Sequence, residues 1–238
     1  MEIDTSFDFR SDSPKGDPDK HSPTLHEYHR LLWGKPLPSG EPFVLEDGRP
    51  GNYLVHRSAL GTFKLSSDAC IATLRKRAKS VVDELGPEAL EEFQSVGYTI
   101  GGMILFPSNK VNGRMTLNGA RGWHPRIVDR LDLTMECIRR HYLDEPSPLT
   151  KTLAAYRDYF DIFGDFAGYV DHFLLQDLVG KNGRLILFFM PFDDFKKPHI
   201  PHDLATYREY RSLSMDFVRA RNARIDDWAR STQPSLDA

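Results

Sequence analysis

The sequence predicts an α+β fold with more helix than strand, in which a mixed or antiparallel sheet of about five strands is packed by several helices. Short, partly alternating segments between Phe43 and Leu65, separated by Gly or Pro, are typical of strands. Two apolar runs, 98–106 and 184–190, are each followed directly by proline and are predicted to be central, adjacent strands. Apolar residues recurring at every third or fourth position elsewhere predict helices.

Composition favours one globular domain with a looser N-terminal part. The chain has 238 residues and a formal charge of −3, which argues against coating nucleic acid through bulk charge. Residues 1–40 are predicted to be a partly irregular segment that packs on the body, and 41–238 a single α+β domain. No signal peptide and no apolar run near the ~20 residues of a membrane span are found, so we predict a cytoplasmic protein without membrane contact.

The first half of the chain alternates turns with short elements. TLHEYHRLLW (24–33) has helical spacing and is ended by Gly34 and Pro36. FVLED, NYLVHRS and GTFKLS are predicted strands. Ser67 is predicted to cap a helix that continues to residue 85, and Pro87 to begin a second, shorter one. Gly101-Gly102 within the first apolar run indicates a bulge or a close backbone approach.

The second half is predicted to be mostly helical, with helices at 125–143, 149–163, 165–179 and 203–230. In the middle pair, aromatic residues recur at three and four positions and predict a buried stripe. They are Tyr156, Tyr159, Phe160, Phe163, Phe166, Tyr169 and Phe173.

The candidate site lies where cations gather at the predicted start of the 125–143 helix. Arg114, Arg121, His124, Arg126 and Arg130 crowd this end. A helix N-terminus already carries roughly half a positive charge, so cations there are unfavourable unless carboxylates or a bound anion compensate. The glycines of NGARGWHP would let backbone N–H groups approach such an anion. We therefore predict a site for a phosphate-bearing ligand, such as a nucleotide or RNA, with hydrolysis or phosphodiester cleavage as a further option.

Roles within the site follow from side-chain chemistry. His124, kept neutral by nearby cations, is predicted to act as a base, and Arg121 to stabilise developing charge. The predicted ligand-binding residues are Arg114, Asn118, Arg126 and Arg130.

Two interpretations that involve no ligand also fit these residues. Residues 144–177 are net acidic, and Asp158, Asp161 or Asp165 could pair with the arginines and leave no vacancy for a ligand. His124 could simply be a surface or capping histidine.

Two other functional classes are kept as alternatives. One is a non-catalytic protein that docks a protein partner through its acidic aromatic helices or through Arg208, Arg211 and Arg219. The other is a metal-dependent hydrolase using Asp193, Asp194 and a histidine pair, His26/His29 or His199/His202. The P-loop, dinucleotide, zinc-protease, nucleophile-elbow and CxxC signatures are absent, so no metal or other cofactor is predicted, and whether the chain is an enzyme stays open.

Four segments carry a resemblance to a known family. They are YHRLLWGKPLPSG, TIGGMILFP, ARGWHPRIVDRLDLTMECIRRHYL and DYFDIFGDFAGYVDHFLLQDLV. Together they resemble a family of uncharacterised bacterial proteins, over most of the chain. The resemblance implies a stand-alone intracellular protein and assigns no activity to any residue.

Overall fold

The α+β class and the excess of helix over strand are confirmed by the structure. A computed structural model describes residues 3–14, 16–48, 53–109, 115–180 and 185–232. Within these ranges no helix is both long and apolar enough to cross a bilayer.

The strands and helices of the described residues are short except at the C-terminus. The strands are β1 (Glu46–Asp47), β2 (Leu54–Ser58), β3 (Gly61–Ala69) and β4 (Met103–Pro107), and a 3₁₀ turn covers Ile100–Gly102. The helices are α1 (Pro18–His21), α2 (Pro23–Trp33), α3 (Lys79–Asp83), α4 (Pro87–Gly97), α5 (Leu117–Trp123), α6 (Leu131–Tyr142), α7 (Thr150–Ala154), α8 (Arg157–Asp161), α9 (Phe166–His172) and α10 (Leu204–Thr232).

One antiparallel sheet of four strands, in the order β1-β2-β3-β4, forms the centre of the described fold. In the register of the central pairs, Leu65 lies opposite both Leu54 and Pro107. The sheet is antiparallel, one of the two arrangements predicted, and has four strands where about five were expected.

The helix predicted to start at Ser67 is wrong, because that residue lies inside β3 opposite Leu105. β3 pairs along both edges, with β2 and with β4, and this ladder extends through Ala69. The apolar spacing beyond it belongs mainly to an irregular loop, and only Lys79–Asp83 forms a helix. Cross-strand pairing has therefore overridden local helical periodicity.

The predicted central strand at 184–190 is also wrong within its described part. Ile186 makes an isolated bridge to Val179, and no ladder joins this run to β4. The Phe189 N–H instead donates to the Asp132 carboxylate, at 2.9 Å. Leu185 is more than half exposed. The backbone N–H that would donate to a neighbouring strand therefore donates to a side chain on α6 instead.

The predicted middle helices exist as shorter pieces around a confirmed aromatic core. The 125–143 prediction corresponds to α6 alone, since Val128 and Asp129 adopt positive φ and separate it from α5. The 149–163 and 165–179 predictions correspond to α7, α8 and α9, and Gly164 turns the chain at φ 77°. All seven residues of the aromatic stripe are buried.

The long helix α10 matches its prediction and reaches the sheet through Arg221, which has no exposed surface. Its guanidinium donates to the backbone carbonyls of Gly101, Met103 and Phe173 at 2.8 to 2.9 Å. No carboxylate of the described residues pairs with it. Hydrogen bonds to three otherwise buried carbonyls therefore hold α10, the 3₁₀ turn and the end of α9 together.

Gly101 and Gly102 confirm the predicted close backbone approach. A Cβ at Gly102 would lie 2.1 Å from the Gly97 carbonyl oxygen, and one at Gly101 would lie 2.6 Å from the Val218 carbonyl oxygen. Only a residue without a side chain fits at these two contacts. They bring α4 and α10 close to the start of β4.

Arg221→Met is expected to lower the free energy of unfolding by about 3 kcal/mol or more, because three buried carbonyls lose their donors while side-chain length is retained. Urea denaturation measures the change. The matched control is Arg208→Met on the exposed side of the same helix, which should shift stability by less than about 0.5 kcal/mol. Equal effects of the two substitutions would contradict the role assigned to Arg221.

Candidate functional site

A cavity of about 750 Å³ opens between α1, the end of β3, α4 and α5. We call it the carboxylate cleft. Its polar lining includes Asp17, Asp19, Asp68, Asn118 and Asp129. Its volume lies in the ~300–1,000 Å³ range of small-molecule sites.

Arg121 lies on the interior side of this cleft, where its side chain is fully buried. Its guanidinium forms ion pairs with the carboxylates of Asp68 and Asp129. It also donates to the Asp129 carbonyl at 2.9 Å and to the Thr134 hydroxyl at 3.2 Å. All three guanidinium nitrogens are therefore used within the protein, and Arg121 fixes the cleft's carboxylates.

Two carboxyl groups in the cleft have strongly raised pKa values. Burial, and then the negative charge of Asp68, raise the pKa of Asp19 to about 8. Burial also raises the pKa of Asp68, to about 6, and outweighs the opposing effect of Arg121. Carboxyl groups that titrate near neutral pH inside a cavity are typical of functional sites.

Two acceptor atoms in the cleft have no hydrogen-bond partner among the described residues. These are Oδ1 of Asp19 and Oδ1 of Asn118, both of which are buried. The Asn118 amide nitrogen, by contrast, is used, because it donates to the Ser66 hydroxyl at 3.1 Å. An unpaired buried acceptor costs about 1–3 kcal/mol, and both atoms have essentially no accessible surface, so they lower the stability of the fold beside the cavity.

The mouth of the cleft is basic. Arg75, Lys76 and Arg77 are consecutive, exposed and part of the lining. Arg75 pairs with Asp83, and Arg77 donates to the Trp123 carbonyl. Leu74, just before them, adopts φ 57°, a strained conformation for a residue with a Cβ. Three consecutive exposed cations thus line the same cavity as the carboxylates.

Of the predicted site residues, Arg121 and Asn118 lie at the carboxylate cleft. The position and the role of Arg121, however, differ from the prediction. Arg121 lies in the last turn of α5, where the helix dipole favours a cation, rather than before a helix start. Its buried, ion-paired guanidinium is not open to a ligand from solvent. The expectation that its planar fork grips an anion therefore needs correction.

Arg130, which was predicted to bind the ligand, is also not open to solvent. It occupies the N-cap position of α6, is buried, and pairs with Asp132 in the first turn of that helix. The crowding of cations at this helix is thus compensated by a carboxylate of the helix itself. That carboxylate is not one of the predicted partners Asp158, Asp161 and Asp165.

His124 and Arg126 meet at a second cavity of about 560 Å³, which Arg140 and Asp194 also line. We call it the basic groove. The Arg126 side chain is exposed, and no carboxylate of the described residues pairs with it. Burial, with Arg126 as a second cause, lowers the pKa of His124, which favours the neutral imidazole that the sequence predicts. Arg114 lies outside the described residues.

The residues of the metal alternative are only partly brought together. Asp193 contacts His199, whereas Asp194 pairs with Arg140. The part of the chain that the structure describes contains no group of three or more metal-ligating side chains.

A buried Ser-His contact has the wrong proton arrangement for nucleophilic catalysis. Trp33 donates its indole N–H to Nδ1 of His29, at 2.9 Å. In the neutral imidazole the proton is then on Nε2, which donates to the Ser67 hydroxyl 3.0 Å away. A base would have to accept from that serine, so the contact is structural.

Sequence reasoning missed Asp19 and the basic residues 75–77. Asp19 lies in the N-terminal segment that is predicted to be partly irregular, and 75–77 lie in a stretch predicted to be helix. The consecutive cations of RKR were a usable signal. Nothing in the sequence, however, indicates that Asp19 and Asp68, 49 positions apart in numbering, line one cavity.

The fold and this cleft define an α+β protein with a carboxylate-lined cavity behind a basic mouth. The chain belongs to a family of unknown function, DUF6994, whose model matches residues 3–225. No curated protein and no solved structure shows significant similarity to it.

Arg121→Met is expected to destabilise the protein by about 3–5 kcal/mol, because it leaves the carboxylates of Asp68 and Asp129 without their cation. Arg126→Met, which removes an exposed cation, should cost less than about 0.5 kcal/mol. Chemical denaturation at pH 7 compares the two. A small effect of Arg121→Met would show that its guanidinium does not anchor the cleft.

Asp19→Asn is expected to stabilise the protein increasingly as pH rises. The folded pKa of Asp19 is raised to about 8 from an ordinary value of 3.8, so the wild type loses stability between pH 4 and 8, because this carboxyl ionises in the unfolded chain and keeps its proton in the folded one. An amide cannot ionise and escapes this loss. At pH 8 the gain should be at least about 1 kcal/mol, since one pKa unit corresponds to 1.36 kcal/mol.

Urea denaturation at pH 5, 7 and 8.5 measures this gain. The control is Asp17→Asn, which removes a neighbouring, exposed charge and retains an N-cap side chain for α1. A gain that is independent of pH would disprove the raised pKa of Asp19.

Proposed function

We propose that the protein binds a small phosphate-bearing ligand of about the size of a nucleotide in the carboxylate cleft. The observation that carries this proposal is a cavity of about 750 Å³ whose lining includes the exposed cations Arg75, Lys76 and Arg77.

Charge supports the placement of the phosphate at the mouth. The carboxylates in the cleft would repel a phosphate group, whereas Lys76 and Arg77 at the entrance would attract it. Lys76 has no ion pair with the described residues, so its ammonium group is free for an anion. The ligand would then lie with its donor-rich end inward and its phosphate outward.

Asp19 lowers the stability of the fold, which favours a functional role for this residue. A buried carboxyl with a raised pKa and an unpaired oxygen destabilises the fold at neutral pH, and an amide would avoid that cost. Local features that lower stability without a structural gain are typical of functional sites.

A second candidate places the phosphate in the basic groove. There Arg126 offers an unpaired guanidinium, and His124 accepts a hydrogen bond from the Arg126 N–H through Nδ1, which leaves Nε2 for a ligand. The groove includes two of the residues that the sequence predicts. Arg140 contributes less there, because it pairs with Glu136 and Asp194.

The protein-docking alternative stays a prediction. The aromatic and basic surface that it would use is smaller than the sequence implied. The aromatic side chains of α8 and α9 are buried in the core. On α10, Arg211 and Arg219 both pair with Glu92.

Thermal shift and calorimetric titration with nucleoside monophosphates and inorganic phosphate test the proposal. Ligand at about 100 times its dissociation constant should stabilise the protein by about 2.7 kcal/mol. Lys76→Ala is expected to weaken nucleotide binding about five- to tenfold, because one charge-assisted contact is lost. Lys197→Ala, at an exposed lysine that lines neither cavity, should leave binding unchanged.

Arg126→Ala distinguishes the two cavities. Loss of binding in this variant alone would assign the phosphate to the basic groove. Absence of any shift across the panel in the wild type would disprove both placements.

A further inference from the structure

A further cavity, of about 440 Å³, lies beside the basic groove and has mostly apolar walls. We call it the apolar pocket, and its walls include Met115, Trp123 and Leu149. His124 and Pro148 line both this pocket and the basic groove, so the two cavities share a border. A ligand that crosses this border would contact apolar side chains at one end and cations at the other.

Trp123 is exposed although it is the largest apolar side chain of the pocket. It is 73% exposed, whereas a tryptophan in a folded protein is usually well buried. Met115, which also lines the pocket, is 54% exposed. Apolar surface of this kind costs free energy in water, and a bound apolar group would remove that cost.

The other side of the pocket is rigid and contributes a second aromatic ring. Tyr156 is buried, and its hydroxyl donates to the Asn109 carbonyl at 2.7 Å. Leu149 is buried beside the pocket as well. Rings of tryptophan and tyrosine prefer aromatic partners in edge-to-face or offset contacts, and a methionine sulfur also contacts rings favourably. The pocket therefore suits a flat aromatic group.

The charged groups around the pocket are cations. Among the described residues its lining holds Lys151 and no carboxylate. Lys151 is exposed and forms no ion pair with the part of the chain that the structure describes. Across the border, Arg126 is likewise exposed and without a carboxylate partner. This charge favours a ligand with an anionic group.

His124 contributes a hydrogen-bond donor at the border itself. Its Nδ1 accepts the backbone N–H of Arg126 at 3.2 Å. Burial lowers the pKa of His124, so the imidazole is neutral near pH 7 and its proton is on Nε2. An anion at the border would therefore have a donor from the imidazole as well as from the Arg126 guanidinium.

We infer that the apolar pocket binds the ring of a small aromatic anion, whose carboxylate or phosphate group lies in the basic groove beside His124 and Arg126. The inference rests on the second placement under the proposed function and adds the group to which the anion is attached. It does not depend on binding in the carboxylate cleft.

Calorimetric titration with small aromatic compounds tests both ends of this ligand. Phenyl phosphate should bind at least about tenfold more tightly than inorganic phosphate, because only the phenyl compound buries apolar surface. Phenylacetate should bind at least about fivefold more tightly than phenylacetamide, which has no charge. Cyclohexylacetate should bind about threefold more weakly than phenylacetate, because a saturated ring makes no ring–ring contacts.

Two variants with matched controls locate the ligand. Arg126→Met should weaken phenylacetate about five- to tenfold and leave phenylacetamide unchanged. Trp123→Ala should weaken both compounds about tenfold. The controls Arg208→Met and Leu60→Ala, which remove an exposed cation and an exposed apolar side chain outside both cavities, should change neither affinity. Circular dichroism verifies that each variant is folded.

Tryptophan fluorescence reports on the pocket directly. Trp33 is fully buried and Trp228 is partly buried, so acrylamide should quench mainly Trp123. Phenylacetate should reduce this quenching in the wild type and have no such effect in Trp123→Phe. Unchanged quenching in the wild type at saturating phenylacetate would place the ligand elsewhere and contradict the inference.

The outcomes distinguish this inference from the function it rests on. Equal affinities for phenyl phosphate and inorganic phosphate would overturn the apolar pocket and leave the anion site at Arg126 in place. Equal affinities for phenylacetate and phenylacetamide, or for phenylacetate and cyclohexylacetate, would overturn the assignment to an aromatic anion. Nucleotide binding that Lys76→Ala weakens, without binding of either aromatic anion, would overturn the inference and retain the carboxylate cleft. No binding of any of these anions would overturn both.

Discussion

Complete removal of guanidinium groups from water is the constraint on which this structure depends. Arg121, Arg130 and Arg221 each have essentially no exposed surface. An arginine does not lose its charge in a protein, so each one requires acceptors within the protein interior. Arg221 binds the start of β4 and the end of α9, and Arg121 joins β3 to the loop after α5. The fold is therefore organised around three cations as well as around its apolar core.

The same constraint shapes the carboxylate cleft. Because Arg121 holds Asp68 and Asp129, those carboxylates stay fixed beside a cavity. Asp19 then faces like charge in a poorly solvated place, which explains its raised pKa. The cleft therefore combines well-ordered groups with a group that lowers stability. This combination is what a preorganised ligand site needs, and it is the physical basis for placing function there rather than among the cations that the sequence makes most conspicuous.

Those cations illustrate why a pattern of charge along the chain identifies partners poorly. The crowding of arginines between 114 and 130 required compensation, and that inference was physically sound. Its source was ambiguous, because a carboxylate of the protein and an anionic ligand satisfy an arginine in the same way. For Arg121 and Arg130 the compensation comes from Asp68, Asp129 and Asp132. Among the described arginines of this cluster, only Arg126 is exposed and without a carboxylate partner.

The sequence by itself determined the α+β class, the long helix α10, the buried aromatic stripe, and the close approach at Gly101 and Gly102. Each follows from local periodicity or from the properties of one residue type, which act over a few neighbouring positions. Tertiary structure decided that β3 continues through Ser67, that 185–190 is not a ladder strand, and that Asp19 meets Asp68. These outcomes depend on which distant backbone or side-chain group claims a hydrogen bond or a charge. The order of residues in one sequence does not show which of these distant groups will meet.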